Sequence, residues 1–286
     1  MKMNDHCLPC LINQTVKVAH MTKTDNKEEL YRKVFQYLST LDFEMTNPEI
    51  IGNVFQILKQ HTGNNDPYKE VRKYYNNLVS EHTDAIEKMI LEAKDPFYQM
   101  IITAILGNII DFSPMHHCVN DILSVFKKAY EKKLTIDHHS QLLKDIKKAK
   151  KILYIGDNCG EIGIDKLFLK QIRQLNEKAE LYFGVRGAPV INDSIAEDAY
   201  DLGIDQYAHI ISNGDSSLGT VLSRTNHFFQ KIYGEADVII CKGSANFESL
   251  SEATGNRYFL MMVKCDVIAG YVQAPVGALL CLNKTA

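Results

Sequence analysis

A change in the spacing of hydrophobic residues near residue 150 constrains the fold of this chain more than any other feature of its sequence. Before that point apolar side chains recur every three or four residues, as in the stripe formed by Leu30, Val34, Leu38 and Leu41. That is the spacing of one face of an α-helix. After it, short apolar runs alternate with helical segments, a pattern typical of a parallel or mostly parallel sheet covered on both faces.

Six apolar runs in the second half have the length of buried strands. They occupy residues 151–156, 181–185, 209–212, 237–241, 258–263 and 276–282. Helical spacing is found between several of them, at 164–175, 194–202 and 218–233. We predict a three-layer α/β/α, Rossmann-like domain at residues 146–286, beside a separate all-helical cap domain at residues 1–145.

The composition excludes several classes of protein. Of 286 residues, 45% are hydrophobic and 23% charged, which is typical of a globular protein and not of a disordered chain. A formal net charge of -3 gives no indication of a nucleic-acid surface. The sequence has no apolar stretch of membrane-spanning length, and we expect no signal peptide, because no apolar region follows the first residues. Seven scattered cysteines suit a reducing compartment, so we expect a cytoplasmic protein.

Polar side chains follow the predicted strands, where open α/β sheets bind their ligands. Asp157 and Asn158 come directly after the first strand, and Asp193 follows the second. Two carboxylates and an amide oxygen suit Mg²⁺ or Mn²⁺ and leave coordination positions for water and substrate. The alternative is that both aspartates cap helices. We predict that the three residues gather at one edge of the sheet.

Positive charge and free amides follow the later strands. Lys242 and Lys264 each end a strand, Gly243 permits close backbone approach, and Asn246 can donate a hydrogen bond. Backbone N–H groups at 244–247, opening a helix, favour an anion. Either lysine alone would be interpreted as a surface residue. Together with a divalent cation, these groups predict a phosphate site.

The sequence lacks the motifs of two other classes of nucleotide- or phosphate-binding protein. The glycines at 156, 160 and 163 lack the G-x-G-x-x-G spacing that a dinucleotide-binding turn needs. Phosphatases of the haloacid-dehalogenase type carry Asp-x-Asp after the first strand, whereas Asp157 is followed here by Asn158 and Cys159.

Three motifs resemble the metal-dependent damage-control phosphatases, first described as domain of unknown function 89. They are Asp-Asn-x-Gly-Glu at 157–161, Ile-Asn-Asp at 191–193 and Lys-Gly-x-x-Asn at 242–246. Cys7-x-x-Cys10 and the segment from Gly107 to Asp111 resemble one subgroup of that family. The resemblance covers nearly the whole chain. Ser244 or Ala245 stands where the larger relatives have an Asp in their phosphosugar-binding segment.

The resemblance implies an α/β/α domain beside a helical one. It also implies Mn²⁺, Ni²⁺, Co²⁺ or Mg²⁺ held by the equivalents of Asp157, Asn158 and Asp193. The implied activity is hydrolysis of phosphomonoesters, among them damaged or surplus sugar phosphates and cofactor intermediates.

Two smaller groups of residues have open interpretations. The sequence leaves three roles open for Cys7 and Cys10. They are half of a zinc site, a redox pair, or residues with a structural role at the start of a helix or beside the site. The nearest further zinc ligands in composition are His116, His117 and Cys118. Asn108 and Asp111 share a helix face, either as a buried pair or as part of the cleft.

The sequence therefore predicts a divalent-metal-dependent phosphatase acting on a small phosphorylated metabolite. The predicted catalytic residues are Asp157, Asn158, Asp193 and Lys242, and the predicted substrate-binding residues are Glu161, Lys242, Gly243, Asn246, Lys264 and Asn108. Water is favoured over Asp157 as the attacking group, with Glu161 or Asp193 as proton acceptor. The alternatives are a protein-carboxylate methyltransferase, which Arg186 after the second strand disfavours, and a non-catalytic metal-dependent phosphometabolite-binding module.

Overall fold

The computed structural model describes residues 1–108, 123, 126–127 and 131–285 of the chain. Asp111, His116, His117 and Cys118, all considered above, lie outside these ranges. Among the described residues, no helix combines the length and the apolar character needed to cross a membrane.

Within residues 1–108 the chain forms six α-helices, as the apolar spacing predicts. They span Leu8–Met21 (α1), Lys27–Ser39 (α2), Asn47–Thr62 (α3), Lys69–Ser80 (α4), Thr83–Leu91 (α5) and Pro96–Gly107 (α6). Local sequence determines several of their ends. Thr46 and Glu49 form a reciprocal capping box at the start of α3, and Gly63 ends it with φ 65°. Asp95 caps α6 by accepting a hydrogen bond from a backbone N–H.

One seven-stranded sheet organises the rest of the described chain. Its strands span Leu134–Asp137 (β1), Lys151–Ile155 (β2), Glu180–Val185 (β3), His209–Ser212 (β4), Val238–Lys242 (β5), Arg257–Met262 (β6) and Leu279–Lys284 (β7). The helices among them are His139–Lys148 (α7), Glu161–Leu175 (α8), Ala196–Asp201 (α9), His227–Glu235 (α10), Gly243–Leu250 (α11) and Asp266–Val272 (α12). The strand order is β1-β7-β6-β5-β2-β3-β4, and every pair is parallel except β6–β7.

Helices cover both faces of this sheet. On one face Tyr154 of β2 packs edge-on against Phe168 of α8. On the other, Leu153 shares a cluster with Phe229 of α10 and Phe247 of α11. Adjacent residues of β2 thus serve opposite cores, as the two-residue period of a strand requires. The three-layer α/β/α prediction is confirmed.

The N-terminal helices share their apolar cores with the sheet domain. Ile101 of α6 belongs to the same cluster as Phe168, and Val190, which follows β3, packs with Val54 and Leu58 of α3. These contacts hold the loop after β3 against the helical half. The division of the chain into two domains at residue 145 stays a prediction.

The sheet contains one strand that sequence analysis missed. β1 pairs in parallel with β7, with Leu134 opposite Leu279, and therefore lies on the N-terminal side of the predicted boundary at 145. The strand has only four residues, and Leu134 is the only one of them that is buried. Such a short segment gives too weak a periodic signal to distinguish a strand from a loop.

The predicted helix over 218–233 is wrong in its first half. Only His227–Glu235 is α-helical, preceded by a short 3-10 turn at Leu222–Arg224. Asn226 starts the helix by accepting a hydrogen bond of 2.8 Å from the Phe229 N–H. Thr220, further upstream, is buried and donates to Asn246 over 2.9 Å. A cap and a buried polar contact therefore set where the helix begins.

Candidate active site

The loops that follow β2 and β3 meet at the carboxyl edge of the sheet, because the two strands are parallel neighbours. Asn158 and Asp193 form an isolated antiparallel bridge between these loops. The Ser194 N–H donates to the Asp157 carbonyl over 2.8 Å. The structure thus brings Asp157, Asn158 and Asp193 together, which helix capping alone would not do.

Asp157 lies in a buried position crowded with polar groups. Its Oδ2 accepts hydrogen bonds from Asn108 Nδ2 at 2.8 Å and from Asn158 Nδ2 at 2.9 Å. Burial, then the charges of Asp193 and Glu161, raise the pKa of the Asp157 carboxyl to about 8. The pKa of Asp157 is thus raised mainly because the fold removes water from a carboxyl group that also has two acidic neighbours.

Arg186 supports the second carboxylate, and sequence analysis did not assign it to the site. Its Nε donates to Asp193 Oδ2 over 2.6 Å, its Nη1 to Thr220 Oγ1 over 3.1 Å, and its Nη2 lies 3.5 Å from Asp157 Oδ1. Burial raises the pKa of Asp193 although Arg186 acts in the opposite direction. The only signal in the sequence was that Arg186 follows a strand, which any loop residue does.

The residues present fit a divalent cation. Asp193 Oδ1 is buried and accepts no hydrogen bond from the described part of the chain. Such an unpaired acceptor is costly unless a donor or cation completes it. The set is two carboxylates and one amide, a hard oxygen set suited to Mg²⁺ or Mn²⁺. Within the described ranges, no three His, Cys, Asp or Glu side chains are arranged to hold a metal.

Gly243 makes room for Asp157. Its φ is 77°, and a Cβ placed on it would lie 1.9 Å from Asp157 Oδ2. No side chain can occupy that volume, so the start of α11 approaches the carboxylate through bare backbone. The glycine is thus required by both conformation and space.

Lys242 lies beneath the site and does not border its cavity, in contrast to its predicted contact with phosphate. Its ammonium group is fully buried and donates to Glu161 Oε1 and, over 2.6 Å, to Asp165 Oδ1. Burial lowers the pKa of Lys242, but the charges of Asp165 and Glu161 outweigh it and the pKa is raised. Cys241 faces the opposite core, so strand alternation turns Lys242 toward α8.

Asp165 and Tyr154 complete this buried charge cluster, and neither was predicted. The Tyr154 hydroxyl donates to Asp165 Oδ1 over 2.6 Å. Burial raises the pKa of Asp165 to about 6. The available signal was that Glu161 and Asp165 stand four residues apart on one helix face. It could not show that a lysine from another strand would meet them.

Two further predicted substrate contacts are used within the protein. Glu161 is fully buried, and its Oε2 accepts from Asn108 Nδ2 over 2.7 Å. Asn246 Nδ2 donates to the carbonyls of Gly156 at 3.1 Å and Lys242 at 2.7 Å. These side chains brace the loops and do not face a ligand, because every polar atom already has a partner in the fold.

Lys264 is the predicted cation that reaches the surface of the site. It is exposed, and its Nζ donates to the carbonyl of Asn108 over 3.2 Å and to Asn108 Oδ1. Asn108 in turn donates to Asp157, so α6 of the helical half links Lys264 to the acidic pair. This arrangement places a positive charge next to the carboxylates and open to solvent.

A cavity of about 630 Å³ opens over the acidic pair. Asp157, Asn158, Asp193 and Lys264, all predicted site residues, contribute to its lining. The helical half supplies part of the opposite wall, including Asn47 and Ile51 of α3. The cavity has the size of a small-molecule site, and both halves contribute polar groups to it, with Gln14 and Lys17 opposite the residues of the sheet edge.

Cys7 and Cys10 also line this cavity, and Cys265 lines it from the α/β half. Burial raises the pKa of the Cys7 thiol, which reduces the thiolate that metal binding or redox chemistry needs. The additional zinc ligands considered above lie outside the described residues. The position beside the site is established, and the zinc, redox and structural interpretations stay predictions.

A model of the Damage-control phosphatase ARMT1-like domain matches residues 3–280 of the chain. A damage-control phosphatase of Pyrococcus horikoshii is 33% identical over 289 residues, covering 99% of this chain and 98% of the relative. A damage-control phosphatase of Archaeoglobus fulgidus is 28% identical, with 97% of each chain covered. An uncharacterized protein of Methanocaldococcus jannaschii is 30% identical.

The fold is similar to a solved structure of a DUF89 family protein from Pyrococcus horikoshii. The two match with a TM-score of 0.92 and 31% sequence identity, covering 99% of each chain. The relatives' names support a phosphatase role. The family resemblance drawn from the three sequence motifs is confirmed: the chain belongs to the damage-control phosphatase ARMT1-like family.

Proposed function

We propose that this protein is a divalent-metal-dependent phosphatase that hydrolyses small phosphomonoesters in the cavity above Asp157 and Asp193. The observation that carries the proposal is the buried, unpaired Asp193 Oδ1 beside a second carboxylate, at the floor of a cavity that an exposed lysine borders. Mn²⁺, Ni²⁺, Co²⁺ or Mg²⁺ would be held by Asp157, Asn158 and Asp193. When bound, such an ion neutralises phosphoryl charge as a Lewis acid.

The protein's own groups orient these ligands. Arg186 binds Asp193 through Oδ2 and so leaves Oδ1 as the free acceptor. Asn108 and Asn158 donate to Asp157 Oδ2 and fix its plane. Beneath them, Lys242 holds Glu161, which anchors Asn108. The buried charges are therefore positioning groups, and the cavity-facing ones act on the substrate.

The phosphate would bind between Lys264 and the start of α11. Lys264 supplies an exposed ammonium group. Ser244 and Ala245 line the cavity in the first turn of α11, where backbone N–H groups have no partner inside the helix. Such a turn binds anions through these N–H groups and the helix dipole. This assignment replaces Lys242 by Lys264 as the direct phosphate contact.

Glu161 is poorly placed to accept a proton from water, because both its oxygens accept protein hydrogen bonds and the side chain is fully buried. Asp193 lines the cavity, but its Oδ2 accepts from Arg186 and its Oδ1 is assigned to the cation, so neither predicted carboxylate is assigned as the proton acceptor. Both Asp157 oxygens already have N–H neighbours, which supports water over Asp157 as the attacking group.

Replacing either acidic residue tests the proposal directly. We expect Asp157→Asn and Asp193→Asn to lower Mn²⁺-dependent hydrolysis of p-nitrophenyl phosphate by at least about 100-fold, or about 2.7 kcal/mol. Asp201→Asn, at the exposed end of α9, is the matched control and should retain activity. Near wild-type turnover in both site variants would show that the assignment is wrong.

Metal binding is measured separately by thermal unfolding. At a concentration about 100 times its dissociation constant, Mn²⁺ should stabilise the EDTA-treated wild type by about 2.7 kcal/mol. Asp193→Asn should show little of this shift. A stabilised protein that hydrolyses no phosphate ester would instead indicate the non-catalytic binding module.

A further inference from the structure

Two side chains of α4 bind the loops that carry the acidic pair, although neither side chain borders the cavity. Arg72 and Asn76 stand four residues apart and therefore lie on one face of this helix. Both are buried, with exposed fractions of 1% and 5%. They are not among the described residues that line the cavity. Their polar groups therefore act on the protein and not on a ligand.

Asn76 binds the loop that follows β2. Its Oδ1 accepts a hydrogen bond of 2.6 Å from the buried Gly160 N–H. Gly160 has φ 71° and is the residue at which the chain enters α8, shortly after Asp157 and Asn158. A buried N–H without an acceptor is costly, so Asn76 stabilises this conformation of the loop. The bond thus helps to fix where the first two predicted metal ligands stand.

Both side chains also bind the loop that follows β3, through Asp198 in the first turn of α9. Arg72 Nε donates to Asp198 Oδ2 over 2.9 Å, and Asn76 Nδ2 donates to Asp198 Oδ1 over 3.3 Å. Asp198 Oδ2 accepts from the Ile195 N–H as well, over 3.0 Å. Ile195 stands two residues after Asp193. The helical half therefore holds this loop close to the second carboxylate ligand.

Asp66 completes this buried network. Its two oxygens accept from Arg72 Nη1 at 2.6 Å and from Arg72 Nη2 at 2.8 Å. The guanidinium group is thus held between two carboxylates, those of Asp66 and Asp198, and such bidentate pairing fixes its plane. The amide of Asn76 is bonded at both ends. Because a fully bonded buried network is rigid, α4 sets the position of one loop relative to the other.

The two loops are also joined directly to each other. The Cys159 N–H donates to the Asn192 carbonyl over 2.8 Å, beside the bond from the Ser194 N–H to the Asp157 carbonyl. These backbone bonds keep the loops together, while α4 binds the ends at which they enter α8 and α9. Loss of an α4 contact should therefore displace the ligands without unfolding the sheet.

We propose that Arg72 and Asn76 are positioning residues for the metal site: by fixing the two loops from outside the cavity, they hold the predicted metal ligands together. This inference rests on the proposed function, because it concerns the ligands of the ion assigned there. Groups that orient metal ligands without touching the metal typically cost about 10–100-fold in affinity or activity when they are removed. The helical half thus contributes to the site from below as well as lining its cavity.

Asn76→Ala tests this assignment, because it removes the acceptor of the Gly160 N–H without adding charge. In calorimetric titration of the EDTA-treated protein, the Kd for Mn²⁺ should rise at least about tenfold. At saturating Mn²⁺, kcat for p-nitrophenyl phosphate should fall at least about tenfold. KM should change less than about threefold, since Lys264 and α11 make the proposed phosphate contacts.

Val79→Ala is the matched control for a loss of stability. Val79 is three residues further along α4 and fully buried in the apolar core, where it faces Gly163 of α8. This variant should lower Tm and keep the wild-type Kd for Mn²⁺ and kcat, measured where circular dichroism shows both variants folded. Equal losses in both variants would show that α4 acts through stability alone. Wild-type Kd and kcat in Asn76→Ala would overturn the assignment.

Asp198→Asn provides a second measurement should Asn76→Ala fail to fold. It keeps the size of the side chain and an acceptor for the Ile195 N–H, but it removes the charge that pairs with Arg72. The Kd for Mn²⁺ should rise at least about threefold, since a charge-assisted bond becomes a neutral one. An unchanged Kd in this variant contradicts the positioning of the loop that follows β3.

Hydrogen exchange measured without metal keeps the test independent of the proposed activity. Backbone amides of residues 158–161 should exchange at least about tenfold faster in Asn76→Ala than in the wild type, because the Gly160 N–H loses its acceptor. In Val79→Ala they should exchange at the wild-type rate. Unchanged exchange in Asn76→Ala contradicts the positioning role. A wild type that binds Mn²⁺ but hydrolyses no phosphate ester contradicts the phosphatase proposal instead.

Discussion

Lys242→Met should destabilise the protein by about 3–5 kcal/mol, the cost of removing one member of a buried ion pair. The substitution leaves Glu161 and Asp165 as two fully buried carboxylates without their shared cation. Thermal unfolding monitored by circular dichroism measures the effect, with an expected fall in Tm of roughly 10 °C. Activity should be lost as well, since Glu161 would no longer anchor Asn108 beside Asp157.

Two variants separate this role from direct phosphate binding. Lys33→Met breaks an exposed pair with Glu29 and should cost less than about 1 kcal/mol. Adding Asp165→Asn to Lys242→Met should recover part of the stability, because one unpaired charge is removed. If Lys242→Met folds with wild-type Tm and only weakens inhibition by inorganic phosphate, the lysine contacts phosphate and the buried role is wrong.

Gly243→Ala should reduce kcat/KM by at least about 100-fold, or about 2.7 kcal/mol. The new methyl group would occupy a point 1.9 Å from Asp157 Oδ2, and the residue would have to hold φ 77°. Either the carboxylate or the first turn of α11 must move, and both line the phosphate site. The loss should appear in Mn²⁺ affinity as well as in turnover of p-nitrophenyl phosphate.

Gly234→Ala provides the control for this substitution. Gly234 lies in α10, and a Cβ there would meet nothing within 4 Å. Alanine should stabilise that helix by up to about 1 kcal/mol and leave activity unchanged. A Gly243→Ala variant as active as Gly234→Ala would show that Asp157 Oδ2 does not lie against the start of α11 in the active enzyme.

Most of the architecture followed from sequence because it depends on local periodicity. The apolar runs at 151–156 and 181–185 became β2 and β3, and Asn26, Thr46 and Asp95 cap helices as their side chains favour. Errors came where local signals were weak or were overridden by capping and burial. The four-residue β1 and the segment before Asn226 are the examples.

The sequence by itself determined which residues follow the strands, and therefore that Asp157, Asn158 and Asp193 share one edge of the sheet. This inference needs only the residues that directly follow each strand, because parallel neighbouring strands end at the same edge of the sheet. The glycine at 243 was also recognisable, because only glycine allows such close backbone approach.

Only the tertiary structure decided which polar groups face the cavity and which support it from below. Lys242 and Lys264 look alike in sequence, yet one is buried with Glu161 and Asp165 and the other is exposed beside Asn108. Glu248 meets Asn47 across 201 residues of chain. Such contacts depend on how helices and strands pack in three dimensions. The desolvation and pairing of charges follow from that packing, and residue order does not encode them locally.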